Sequence, residues 1–220
     1  MELAIILLIL SYLLGSIPFG LIIGKAAGKD LRKSGSGNIG STNAIRILGV
    51  KLGLLSALCD IIKGTIVIIV IYILEANNLW YNPIVIGEES IYAIYGLTAV
   101  IGHCFSIFLK FKGGKAVATS LGVLFATVPL AGVAALVVFF PVVFITKYVS
   151  ISSTFASVAA VLTSFIAYGL IIGDRLYTSI VVLILVVTII IKHIPNYKRL
   201  ANGTENKFGS KNKKKAQLEP

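Results

Sequence analysis

Residues able to do chemistry are confined to four polar stretches, set among apolar runs that make the chain 57% apolar. The first is Ser34-Gly35-Ser36-Gly37-Asn38-Ile39-Gly40-Ser41-Thr42-Asn43-Ala44-Ile45-Arg46. Glycines let backbone N–H groups crowd an anion, while Ser36, Asn38, Thr42 and Asn43 add donors. Arg46 can grip two phosphate oxygens at once. Gly35, Gly37 and Gly40 formally match a dinucleotide-binding turn, but no strand precedes them. Gly35 and Gly40 also fit a P-loop frame, except that Ser41 stands where its lysine belongs. The soluble nucleotide folds do not apply; the anion-binding physics does.

The second stretch runs from Gly102-His103 to Gly113-Gly114-Lys115-Ala116 and Thr119. Gly113 and Gly114 open a helix, and helix N-termini attract anions. Lys115 at that terminus opposes the helix dipole, a conflict that a bound phosphate relieves. Lys110 and Lys112 also read as anchors at a membrane face. His103 lies about two turns inside an apolar segment, where a polar side chain is costly unless paired. It is a candidate either for function or for a hydrogen bond to a neighbouring helix. The third stretch, Lys147 to Ser153, supplies Ser150 and Ser153 as donors or as helix caps. The fourth, Lys192 to Leu200, places His193 and Asn196 where the last apolar run ends. Asp60 and Lys63, three apart, share one helix face and can pair. There is no carboxylate cluster suited to Mg²⁺ and no Walker motif, so no metal and no cofactor are expected.

The elements that must position these residues are membrane helices. Only 13% of residues are charged, about half the share of a soluble domain. Together with a mean hydropathy of +0.95, this excludes an ordinary cytosolic enzyme and a disordered protein. Spans are expected over about 3–24, 52–74, 90–109, 150–173 and 176–194, and the first reads as retained. Residues 116–146 carry no charge and form one run, too long for a single ~30 Å crossing. Pro129 near its middle predicts two helices. The expected fold is therefore all-α: a polytopic membrane helix bundle with seven transmembrane helices, N-terminus outside and C-terminus cytoplasmic. With that topology every Lys and Arg except Lys63 and Arg175 faces the cytoplasm, while Glu2, Glu75, Glu88, Glu89 and Asp174 lie outside. The net charge of +11 then reports topology, and no nucleic acid is implied. Residues 1–200 form the membrane domain, and 201–220 a basic tail expected to be flexible.

The four stretches together resemble the bacterial acyl-phosphate:glycerol-3-phosphate acyltransferases. The matching segments are GSGNIGSTNAIR (35–46), GHCFSIFLKFKGGKAVAT (102–119), YVSISS (148–153) and KHIPNYKRL (192–200), with Gly15 to Gly20 and Leu58 to Gly64 also fitting. The family usually has Gly where Ala116 stands, Ala at Ser41 and Arg at Lys192. The resemblance implies an inner-membrane enzyme with its site facing the cytoplasm. It implies acyl transfer from acyl-phosphate to the 1-hydroxyl of glycerol 3-phosphate, giving lysophosphatidic acid and phosphate. Matching positions imply that Ser36, Gly37, Asn38, Gly40, Thr42, Asn43, Gly113 and Gly114 shape phosphate loops. Arg46 and Lys115 would hold glycerol phosphate and stabilise developing charge, Ser150, Ser153, His193 and Asn196 would orient it, and His103 would act as base or orienting group. The substrate's own phosphate is the other candidate proton acceptor. Membrane lipid is the expected surrounding, with no protein partner.

A transporter or exchanger of small organic phosphates would also use basic loops and glycine breaks. Against it stand the interfacial position of the phosphate loop and the lack of internal repeats. A scaffold with a lysine-rich face for anionic lipid is the third reading.

Overall fold

The protein is described from a computed structural model covering residues 1–86, 89–173 and 175–209. Glu88 and Asp174, assigned above to the outer side, and tail residues 210–220 lie outside the described residues.

The first apolar run is two helices, α1 (Glu2–Ser16) and α2 (Phe19–Ala26). Pro18 has no N–H to continue the ladder and forces Ile17 into an extended conformation. The glycine-rich stretch leads into a short amphipathic helix, α3 (Ser41–Leu48), and Gly49 turns the chain into α4 (Val50–Ala76). A short antiparallel strand pair, β1 (Val85–Ile86) with β2 (Glu89–Ser90), precedes α5 (Ala93–Cys104). The long uncharged run splits as expected into α6 (Val117–Thr127) and α7 (Pro129–Thr146), with Pro129 in the first turn of α7, where its missing N–H does no harm. After α8 (Val149–Thr163) the helix widens into a π-helix over Ser164–Ile172, and α9 (Leu176–Ala201) closes the bundle.

Among the described residues, five helical segments are long and apolar enough to cross a bilayer: Glu2–Ala26, Val50–Ala76, Pro129–Thr146, Val149–Ile172 and Leu176–Ala201. Two shorter apolar helical segments, Ala93–Leu109 and Val117–Thr127, pack among them. Many large aliphatic residues face outward. On α4, Ile62, Ile66, Ile69 and Ile73 are exposed, while Asp60, Lys63 and Gly64 are buried. That distribution suits lipid as solvent, since hydrocarbon offers nothing to a polar group.

With no hydrophobic force between helices in lipid, close backbone contact must hold them. A Cβ added to Gly15 of α1 would stand 2.1 Å from the Ala99 carbonyl oxygen of α5. Serine hydroxyls stitch the same seam: Ser11 donates to the Tyr95 carbonyl, and Ser106 to the Ser16 carbonyl at 2.6 Å. Gly64 of α4 and Gly122 of α6 make a reciprocal pair, their absent Cβ positions 2.2 Å from the Thr119 carbonyl and 2.1 Å from the Ile61 carbonyl. Gly20, by contrast, meets the Ile39 carbonyl of the glycine-rich stretch, so it seats that loop on α2.

Gly64→Val places methyl groups against helix backbone that cannot give way. Overpacking of this kind costs about 1–3 kcal/mol. The unfolding midpoint of the detergent-solubilised protein should fall by roughly 5 °C, as followed by intrinsic fluorescence on heating.

Candidate active site

At the end of the bundle that carries the basic loops, a cavity of about 280 Å³ opens between α3, α4, α6, α7, α8 and α9. First-turn residues of three helices line it: Ser41 and Thr42 of α3, Val117 and Ala118 of α6, and Val149 and Ser150 of α8. Helix N-termini present free N–H groups and partial positive charge. Arg46 and Lys115 add full charges to the same cavity.

The glycine-rich loop is held by its own asparagines. Asn43 is 1% exposed, and its Nδ2 donates toward the carbonyls of Leu31 (3.1 Å), Ser34 (3.1 Å) and Asn38 (2.8 Å). Its Oδ1 accepts from the Ser36 N–H at 3.0 Å, and Asn38 Oδ1 accepts from the Gly40 N–H at 2.8 Å. These amides line the cavity, but their polar atoms brace the loop. Gly35 must be glycine here: its φ is +63°, and a Cβ would lie 2.2 Å from Asn43 Oδ1. At the loop's start, the Arg32 guanidinium, 2.6 Å from Asp30, holds that carboxyl well below the usual carboxylate range.

Arg46, on the last turn of α3, is half-buried and forms no ion pair among the described residues. Burial lowers its pKa, and Glu205 partly restores it. Lys115 donates to Asn196 Oδ1 on α9. Burial brings the Lys115 pKa down to about 8; the Glu205 carboxylate opposes that shift and Arg199 adds to it. The diglycine before Lys115 is seated on the end of α5. Gly114 N–H donates to the His103 carbonyl at 3.0 Å, and Gly113 N–H to the Cys104 carbonyl at 3.2 Å. A Cβ on Gly114 would lie 2.2 Å from His103 Nε2.

His103 therefore packs under the diglycine, with Nδ1 3.3 Å from the Thr119 hydroxyl and 3.7 Å from Asp60. Ser150, Ser153, His193 and Asn196 are all buried and line the cavity from α8 and α9. His193 Nδ1 donates to the Ile189 carbonyl at 2.8 Å, which makes Nε2 the remaining acceptor of the neutral ring.

The structure thus gathers Ser36, Asn38, Gly40, Thr42, Asn43, Arg46, His103, Lys115, Ser150, Ser153, His193 and Asn196 around one cavity. Gly37, Gly113 and Gly114 stand behind it, shaping the backbone. Among the described residues no group of three His, Cys, Asp or Glu is placed to hold a metal.

Two residues escaped the sequence reading. Glu205 folds back from the chain beyond α9: it accepts from Asn196 Nδ2 (2.6 Å), Arg199 Nε (2.7 Å) and the Ser150 hydroxyl (3.3 Å). Ser120 lines the cavity one turn inside α6, and its buried hydroxyl has no hydrogen-bond partner among the described residues. Neither had a motif to flag it; only Glu205's sign, among so many lysines, set it apart.

Glu205→Ala leaves Asn196 and Arg199 without their acceptor. Charge-assisted bonds of this kind are worth about 1.5–3 kcal/mol. The unfolding midpoint should drop by about 5 °C, and amide exchange over residues 203–208 should quicken. Ala116 sits at φ +58°, a conformation that costs a non-glycine residue about 1–2 kcal/mol. Ala116→Gly should raise the same midpoint by a few degrees.

Residues 5–203 match the family described as glycerol-3-phosphate acyltransferase. Glycerol-3-phosphate acyltransferase 2 of Bacillus anthracis is 47% identical over 205 residues, which cover 93% of this chain and 98% of that protein. Glycerol-3-phosphate acyltransferase of Bacillus subtilis strain 168 is 43% identical, over 92% of this chain and 96% of its own. In fold the chain is similar to PlsY (YgiH), an integral membrane glycerol 3-phosphate acyltransferase. The crystal structure of its glycerol 3-phosphate form matches with a TM-score of 0.81 at 35% identity, over 98% of this chain and 99% of that one. Its lysophosphatidic acid form gives 0.79 at 36%, over 94% and 95%. By sequence and by fold, this chain belongs to the integral membrane glycerol-3-phosphate acyltransferases.

Proposed function

We propose that the enzyme transfers a fatty acyl group from acyl-phosphate to the 1-hydroxyl of glycerol 3-phosphate, releasing lysophosphatidic acid and phosphate. The observation that carries this reading is the two-sided character of the cavity. Its mouth holds Arg46, Lys115 and three helix N-termini, and its depth is walled by apolar residues of α6 to α9. Such a space suits a phosphate head on a long hydrocarbon tail.

The 1-hydroxyl attacks the acyl carbonyl, the carbon–oxygen bond to phosphate breaks, and inorganic phosphate leaves. Arg46 and Lys115 offset the charge gathering on the phosphoryl oxygens. Ser150, Ser153, His193 and Asn196 hold the acceptor in line. The hydroxyl proton passes to a phosphate oxygen of the substrate. His103 is a poor recipient, since Nδ1 is turned to Thr119 and Asp60 while Nε2 abuts Gly114. In this role His103 positions the diglycine and hence Lys115.

Seven crossings are the reading we give to the five long segments and two short ones, with the N-terminus outside. Lys25, Lys29, Lys51, Lys110, Lys112 and Lys147 then share the cytoplasmic face with the cavity mouth, in an inner membrane. Both phosphate substrates would enter from the cytoplasm, and the lipid product would leave sideways.

Purified protein in detergent should release phosphate and lysophosphatidic acid in equal amounts from acyl-phosphate and glycerol 3-phosphate. Acyl-CoA and acyl-carrier protein should not replace the donor. Uptake of glycerol 3-phosphate by vesicles without phosphate release would instead identify a transporter. Lys115 must be protonated to bind phosphate, so kcat/KM should fall on the alkaline side around pH 8. Lys115→Arg should remove that limb, because a guanidinium stays charged. Lys115→Ala should lower kcat/KM on the order of a hundredfold; full turnover would refute its assignment.

A further inference from the structure

The cavity ends at a ring of four residues, each the lining residue of its helix that lies farthest from the mouth: Leu124 on α6, Ala135 on α7, Ala160 on α8 and Val182 on α9. Its depth can be read along two helices independently. Ser150 to Ala160 on α8 is ten residues, about 15 Å, and His193 to Val182 on α9 is about 16 Å. The cavity thus reaches about half-way through a ~30 Å hydrocarbon core.

Beneath the ring the bundle is shut. Val128 and Ala131 are fully buried and Tyr168 nearly so, in one cluster with the ring residues. That plug is tied from below. The Leu130 N–H donates to the Tyr168 hydroxyl at 3.3 Å, the Arg175 guanidinium lies 5.5 Å from the Tyr168 ring centroid, and Arg175 also donates to the Thr127 carbonyl. A tail that reaches the ring meets a braced wall.

Given the acyltransferase reading above, we propose that this ring, with Ala160 and Val182 as its adjustable members, sets the longest acyl chain the enzyme accepts. Alanine at 135 and 160 keeps the floor low, and Val182 supplies the bulk that a terminal methyl touches. Each methylene denied burial weakens binding about fourfold.

The test uses the full-length protein in detergent with acyl-phosphates of eight to eighteen carbons, reading kcat/KM from phosphate release. Ala160→Leu raises the floor and should lower the ratio of eighteen-carbon to eight-carbon kcat/KM on the order of tenfold. Val182→Ala lowers the floor and should move the same ratio the other way by a few fold. A ratio unchanged from wild type in Ala160→Leu overturns the proposal and leaves the tail leaving sideways past the ring. If Ala160→Leu is inactive at every length, Val182→Ala decides, and an unchanged ratio there overturns it equally. Absence of phosphate release by the wild type with every acyl-phosphate would instead sink the acyltransferase reading itself.

Discussion

Asp60 and Lys63 face each other at 2.7 Å inside α4, with side chains only 3% and 2% exposed. Lone charges at such a depth would cost several kcal/mol, so each depends on the other. Their remaining contacts tie the frame of the site. Lys63 also donates to the Ile17 carbonyl at 2.8 Å, at the break before Pro18. A helix broken inside lipid must find partners for its freed carbonyls, and this lysine supplies one. Asp60 reaches His103, and His103 carries the diglycine through its backbone carbonyl and its ring. One ion pair thus fixes α1, α2, α4 and α5 relative to the loop that presents Lys115.

The two cations that line the cavity, Arg46 and Lys115, are arranged on the opposite plan. Lys63 is satisfied by protein, whereas among the described residues Arg46 is paired with no carboxylate and Lys115 bonds a neutral amide. Cations that are partly desolvated and unpaired by carboxylates bind an arriving phosphate more strongly than solvated ones, because less water stands between them. Burial lowers the Lys115 pKa, and phosphate would raise it again. Glu205 moderates the field without neutralising it, since its oxygens are held by Asn196, Arg199 and Ser150. The carboxylate shapes the α8–α9 wall and leaves both cations facing the cavity.

Much of this was legible in the sequence because lipid imposes simple rules. Apolar runs had to be helices, Pro129 had to divide the longest of them, and the Asp60–Lys63 spacing had to allow pairing. The polar stretches meet at one cavity, as their rarity suggested, because a membrane helix tolerates few unneeded polar groups. Finer roles were less visible. Asn38 and Asn43 read as donors for an anion, yet they brace the loop, since a turn so rich in glycine needs side chains to hold its backbone. Gly113 and Gly114 read as a phosphate cradle, yet they are where a backbone could lie flat on His103. Glu205 was hidden because its partners lie on other helices or beyond a turn, and in the basic tail it resembles one more solvated charge.

The unequal division of the long uncharged run explains how a cation comes to lie in a recess. Pro129 cuts residues 117–146 into helices of 11 and 18 residues, α6 and α7. Both start from the same turn at Val128, so if both run near the bilayer normal α6 ends about 10 Å short of α7. Lys115, at the end of the short helix, is therefore drawn below the level of Lys147 at the end of the long one. α5 is short as well, 12 residues, and stops beside it at Cys104. Two truncated helices among longer neighbours leave a recess whose mouth holds helix termini and whose walls are α4, α7, α8 and α9. A phosphate entering that recess meets donors on several sides, while α6 continues inward through Ser120 to Leu124. The same helix thus presents the cation, the hydroxyl and the apolar end wall in succession, the order in which the proposed acyl-phosphate donor would carry its charge, its carbonyl and its tail.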